Sequence, residues 1–245
     1  LLMAGFFVLM GGYHAWALPR PASDTARPRP ARLLAESWAV FVAFFRRRDL
    51  VIVLGFLLFY RFAEAQLLKL VPPFLLDPRA DGGLGLTTQN VGVLYGTVGV
   101  VALTIGGLAG GVTIARFGLK RLLWPMVLCL CAPNLVFVYL AWAQPTNLGV
   151  IGSALAVEQF GYGFGFTAYL LYMMLIADGE HRTAHYAICT GFMALGVMLP
   201  GMAAGWVQEQ LGYLNFFVWV CAATLPSFFV TALVKVDPSF GRKTA

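Results

Sequence analysis

Three ionisable side chains stand inside a run that is otherwise apolar. Leu50–Leu76, LVIVLGFLLFYRFAEAQLLKLVPPFLL, carries Arg61, Glu64 and Lys69. A charge near the bilayer centre costs roughly 2.5–3.5 kcal/mol on insertion scales, so such groups face a bundle interior or a watery cavity and mark a path for solute or protons. At about 1.5 Å per residue, Arg61 and Glu64 fall close to the middle of the run. Stepping about 100° per residue, Tyr60, Glu64 and Arg61 lie at roughly 0°, 40° and 100°, one polar face on an apolar rod. Their spacing lets Arg61 and Glu64 pair. Such a face can bind an anion through Arg61 and accept or relay a proton through Glu64, or it can simply brace helices as a buried ion pair. Lys69, about 12 Å further along on another face, is placed to snorkel toward head groups.

A second acid, Glu158, sits beside Gln159 in another apolar run. Tyr162, Gly165 and Tyr169 follow it at helical spacings, giving a polar and aromatic face. That face suits a second proton or substrate site opposite Arg61, with Tyr162 and Tyr169 stacking on sugar rings. The plainer alternative is a carboxylic acid satisfied by tyrosine hydroxyls or the backbone. The glycines of GYGFG at 161–165 are not a phosphate loop, which needs a strand before it and a helix after it. His181 and His185, beside Asp178 and Glu180, have the spacing of a metal pair, but a polar turn accounts for them and no metal or other cofactor is expected.

The elements that must hold these groups are membrane helices. The 245 residues are 60% hydrophobic and 11% charged, with mean hydropathy +0.78, against about 45–50% and about 25% in soluble domains. The 27 glycines fit close helix packing, and the long apolar runs exclude a membrane barrel. Cys129, Cys131, Cys189 and Cys221 all lie in apolar runs and read as packing residues rather than a disulfide or metal set. Residues 1–18 read as a first span that is cut short, since the sequence lacks a starting methionine and a basic leader. Residues 19–49 read as a Pro/Arg-rich linker followed by a surface helix, Leu33–Phe45, closed by Arg46, Arg47 and Arg48. Six spans follow over residues 50–236: 50–76, kinked or ended by Pro72 and Pro73, then 90–114, 122–143, 147–177, 186–207 and 213–236. Residues 237–245 are a tail.

Lysine and arginine are distributed one-sidedly. The linker, the 115–121 loop, Arg182 and the tail fall on one side of the spans, and only Arg79 falls in the opposite loops. That bias places the linker and tail in the cytoplasm, and it makes the net charge of +6 a topological signal rather than a nucleic-acid one.

One span, a basic linker and six further spans resemble the second half of a major facilitator superfamily transporter, preceded by the last helix of its first half. The stretch GVTIARFGLKR, with Gly111, Arg116, Gly118, Lys120 and Arg121, resembles that family's gating-loop motif G-x-x-x-D-R-x-G-R-R. It departs at Ala115, where the acid should stand, and at Leu119. Within the family, Tyr60-Arg61-x-x-Glu64-Ala65 followed by Pro73-Phe74-Leu75, Glu158 with Gly161, Gly163 and Gly165, and Gly201–Trp206 are similar to the AmpG-type branch of muropeptide permeases and acetyl-coenzyme A transporters. The resemblance implies an all-α, twelve-helix membrane fold. It further implies proton-coupled import of an anionic amino-sugar or muropeptide-like solute by a monomer in the inner membrane, with the first half completing the cavity. A transporter of another sugar, peptide or coenzyme A ester is the alternative. A membrane-embedded transferase is disfavoured because the acids stand singly in different helices, so no enzyme activity is expected.

Overall fold

The computed structural model describes residues 2–18, 30–179 and 181–242. The expected linker at 19–29, Glu180 and the tail beyond residue 242 lie outside the described residues. The described chain is helical throughout, and it divides into two compact units at Ala39/Val40. In the first unit, α1 (Leu2–Ala17) has 16 residues, short of the roughly 20 that span a bilayer. Helix α2 (Pro30–Phe45) covers the expected surface helix and runs across the division.

The second unit holds the long passes. Leu50–Leu76, Thr88–Phe117, Leu119–Ala143 and Arg182–Leu233 are each long and apolar enough to cross a membrane. Arg182–Leu233 contains two passes, because Gly212 at φ 71°, ψ 167° interrupts α10 (Arg182–Ala222). That left-handed backbone favours glycine. Between these lies α9 (Leu148–Ile176), 29 residues in one piece. It carries Glu158, Gln159 and three tyrosines and packs against the 88–117 and 119–143 passes.

Several passes are broken. The first is α3 (Leu50–Phe59) and α4 (Phe62–Leu76), separated at Tyr60–Arg61. Pro72 and Pro73, expected to kink or end this helix, both lie inside α4, which ends three residues later at Leu76. The second pass comprises α5 (Thr88–Val91), a π-helix at Gly92–Gly99 and α6 (Val100–Phe117). The third comprises α7 (Leu119–Cys131), a 3-10 turn at Ala132–Asn134 set by Pro133, and α8 (Leu135–Ala143). The last resumes as α11 (Leu225–Leu233).

Glycine brings the helices together. A Cβ on Gly161 or Gly165 would overlap the carbonyls of Cys129 and Met126 on α7, and one on Gly163 would overlap the Leu103 carbonyl on α6. The GYGFG run is therefore a packing face on two neighbours at once, which is how small residues join membrane helices.

Two apolar cores result. One gathers Phe56, Leu57, Tyr60, Met126, Leu130, Tyr169 and Met173. The other gathers Ala63, Leu67, Phe74, Phe137, Leu155 and Phe217. In three of the passes they share, the boundary between the cores falls beside a buried polar residue: Arg61, Asn134 and Glu158. A polar layer thus crosses the bundle at mid-depth.

Adding a methyl to the GYGFG face must overpack it. Gly161→Ala is expected to lower the thermal unfolding temperature of the detergent-purified protein, corresponding to about 1–3 kcal/mol of overpacking. Gly111→Ala, whose Cβ would meet nothing within 4 Å, leaves it unchanged.

Candidate functional site

The polar layer is built around the break at Tyr60–Arg61. When a helix breaks, the carbonyls of its last turn lose their intrahelical donors and must find others. Here the Phe56 carbonyl keeps its intrahelical donor, the Tyr60 N–H, at 3.0 Å, while two carbonyls after it take side-chain donors. The Tyr169 hydroxyl donates to the Leu57 carbonyl at 2.7 Å, and Ser227 Oγ donates to the Phe59 carbonyl at 3.1 Å. The Tyr60 hydroxyl donates in turn to the Gly165 carbonyl at 3.0 Å. Hydroxyls from α9 and α11 therefore hold the break open, with the rings of Phe56, Tyr60 and Tyr169 packed beside it at 4.6–5.7 Å between centroids. Spacing makes Tyr169 a candidate for sugar stacking; in the structure its hydroxyl and its ring engage the break.

Arg61 occupies the gap itself, at φ −110°, ψ 20°. Its Nη2 donates to the Tyr162 hydroxyl, and its guanidinium carbon lies 4.4 Å from the Phe166 ring centroid and 5.2 Å from that of Tyr162. Such stacking is a favourable seat for a desolvated guanidinium. The expected Arg61–Glu64 pair does not form. Glu64, in the first turn of α4, is 2% exposed, and neither of its carboxyl oxygens has a hydrogen-bond partner; Arg61 Nε is likewise buried and unpartnered. The change of backbone direction at Tyr60–Arg61 turns the arginine toward α9 and leaves the glutamate behind it.

Glu158 is buried on α9 and accepts from Gln159 Nε2 at 3.0 Å. The tyrosines expected to satisfy it serve other partners. It lies within electrostatic reach of Glu64, and Tyr95, on the π-helical stretch, lies beside Gln159 and within reach of both acids. Arg61, Glu64, Glu158, Gln159, Tyr162 and Tyr95 thus converge from three passes.

Two sequence candidates lie elsewhere. Lys69 is exposed on another face of α4, its stem running over Gly201, where a Cβ would sit 3.2 Å from it. The Gly111–Arg121 motif is at one end of the bundle, separated from the cluster by the first apolar core. His181 and His185 are 6.3 Å apart between ring centroids, and no group of metal-binding side chains occurs among the described residues.

Four contributors escaped the sequence reading. Asn134 is 1% exposed with an unpartnered Oδ1, and Gln66 accepts from Trp219 Nε1 at 2.9 Å. Tyr95 and Ser227 are the others. Asn134 and Gln66 were detectable as polar residues within apolar runs; Tyr95 and Ser227 carry no such signal.

With this geometry in place, comparison with known proteins decides the family. The profile of the Major Facilitator Superfamily matches residues 1–184. The chain belongs to the Major Facilitator Superfamily. It is a multi-pass membrane protein of that superfamily, and its curated relatives within it include two kinds of AmpG-related protein. The anhydromuropeptide permease of Escherichia coli (strain K12) is 27% identical over 224 residues, covering 91% of this chain and 44% of the relative. Putative transporter AmpG 1 of Rickettsia prowazekii (strain Madrid E) is 24% identical over 200 residues, covering 78% of this chain and 43% of the relative. The chain therefore spans less than half the length of these superfamily relatives.

The hydroxyls at the break carry its stability. Tyr169→Phe and Ser227→Ala each leave a buried carbonyl without a donor, which costs about 1–3 kcal/mol. Each is expected to lower the unfolding temperature of the purified protein measurably. Unchanged unfolding in both variants would show that the break does not depend on them.

Proposed function

We propose that this chain forms six passes of a twelve-helix secondary transporter, and that it imports an anionic amino-sugar or muropeptide-like solute with protons by alternating access. The observation that carries the reading is the buried pair of unsatisfied groups in the mid-depth layer, Glu64 and Arg61 Nε, set at a helix break. A buried polar group without a partner costs free energy, so a fold that keeps one there needs a reason. Transporters of inverted-repeat design place solute and ion sites at discontinuous helices near the bilayer midplane, where a half-helix N-terminus favours anionic groups. Helix α4 begins at such a break, with Arg61 at its N-cap.

In this reading Arg61 binds the solute's anionic group, leaving Tyr162 as the solute arrives. Glu64 accepts the coupling proton, and Glu158 with Gln159 and Tyr95 forms a second proton or hydroxyl-binding position. The linker at 19–49 and the tail lie in the cytoplasm, the passes cross the inner membrane, and the protein works as a monomer whose other passes complete the cavity. The likeness to AmpG-type relatives supports the solute class, and the one-sided lysine and arginine distribution supports the orientation.

The test uses the full-length parent in proteoliposomes. Glu64→Gln is expected to abolish accumulation driven by an inward proton gradient while preserving solute exchange at zero gradient. Arg61→Gln is expected to lose both. Gradient-driven accumulation by Glu64→Gln equal to wild type, at normal expression, overturns the assignment of the proton site.

A further inference from the structure

The end of the bundle that carries Gly118 has chemistry that the transport site does not use. Helix α6 stops at Phe117 and α7 starts at Leu119; Gly118 between them adopts φ 85°, ψ 152°. The C-terminal segment folds back over this joint. The Leu119 N–H donates to the Phe240 carbonyl at 3.1 Å, and a Cβ on Gly118 would meet the Pro238 carbonyl oxygen at 3.2 Å.

Two hollows that share Lys120 result. One, about 430 Å³, is lined by Phe117, Lys120, Arg121, Pro238 and Arg242. The other, about 460 Å³, runs between α7 and the end of α11, where Leu123, Trp124, Val234 and Lys235 contribute to its wall. The first is cationic, and the second sets the apolar side chains of Leu123, Trp124 and Val234 beside the ammonium groups of Lys120 and Lys235.

Lys120, Arg121, Lys235 and Arg242 are all exposed, and no side-chain hydrogen bond or ion pair engages them among the described residues. The acid that faces them is Asp237, within electrostatic reach of Lys120. Its carboxylate is already engaged by the Ser239 hydroxyl and by the Ser239 N–H at 2.8 Å, donors that hold it below the usual carboxylate range. The hollows therefore keep a positive excess. Trp124 is 48% exposed beside them and stacks on Phe228 at 6.4 Å between centroids, as an aromatic does at a membrane interface.

We propose that this end of the bundle binds one anionic glycerophospholipid. Its phosphodiester lies against Lys120, Arg121 and Arg242 in the first hollow, and an acyl chain follows Leu123, Trp124 and Val234 in the second. Basic recesses between membrane helices recognise anionic head groups by charge. A cationic hollow and a partly apolar one that share Lys120 fit a molecule with both parts, whereas a free phosphate ester would use only the first. The inference stands apart from the transport reading and survives its failure.

Native mass spectrometry of the full-length protein, titrated with phosphatidylglycerol or phosphatidylcholine, counts bound lipid directly. Wild type is expected to retain one phosphatidylglycerol in preference to phosphatidylcholine. The neutral variant Lys120→Gln/Arg121→Gln/Arg242→Gln is expected to weaken that retention at least about tenfold. The charge-retaining variant Lys120→Arg/Arg121→Lys/Arg242→Lys should keep it. If the neutral triple variant does not fold, Arg121→Gln and Arg242→Gln separately carry the same comparison. Equal retention of phosphatidylglycerol by wild-type and neutral proteins overturns the proposal, as does equal retention of the two lipids by wild type. Glycerol 3-phosphate competing as well as the lipid would assign the hollow to a soluble phosphate ester and also overturn it.

Discussion

Backbone carbonyls released inside a membrane helix must be satisfied by protein, because the hydrocarbon offers no water. This constraint governs the Tyr60–Arg61 break. The Leu57 and Phe59 carbonyls are met by Tyr169 on α9 and Ser227 on α11, so the break ties three passes together. It also fixes where Arg61 points. Once the chain turns there, the guanidinium has no course along its own helix and lies against Tyr162 and Phe166.

The same turn explains the polar layer. Glu64 begins α4 rather than continuing α3, and it is enclosed without a hydrogen-bond partner. Glu158, Gln159 and Tyr95 approach it from α9 and the π-helix, and Asn134 lies in the 3-10 turn of the third pass. Apolar cores above and below this layer isolate it. Charge there is poorly screened, so protonation of one acid is felt by the other and by the arginine. An arrangement of this kind can link the binding of an anion to the binding of a proton.

Much of this was legible in the residues. Long apolar runs located the passes, and the polar residues in them marked Arg61, Glu64 and Glu158. What failed was the wheel argument pairing Arg61 with Glu64. It assumed about 100° per residue through Tyr60 and Arg61, where the helix is interrupted. The prolines at 72 and 73 lie within the last turns of α4, which ends at Leu76. A break stabilised by hydroxyls from residues more than 100 positions away leaves no local signature, so neither Ser227 nor the role of Tyr169 could be read from spacing. The glycines of GYGFG were visible as a motif, but their meaning came from the Cys129, Met126 and Leu103 carbonyls they approach.

The central claim is that anion binding and proton binding are linked in one buried layer. Calorimetric titration of N-acetylglucosaminyl-anhydromuramyl peptide into the purified full-length parent, in buffers of different ionisation enthalpy at the same pH, measures that linkage directly. The account predicts binding heats that vary with the buffer, showing that protons are taken up together with the solute. Binding whose heat is the same in every buffer would contradict it.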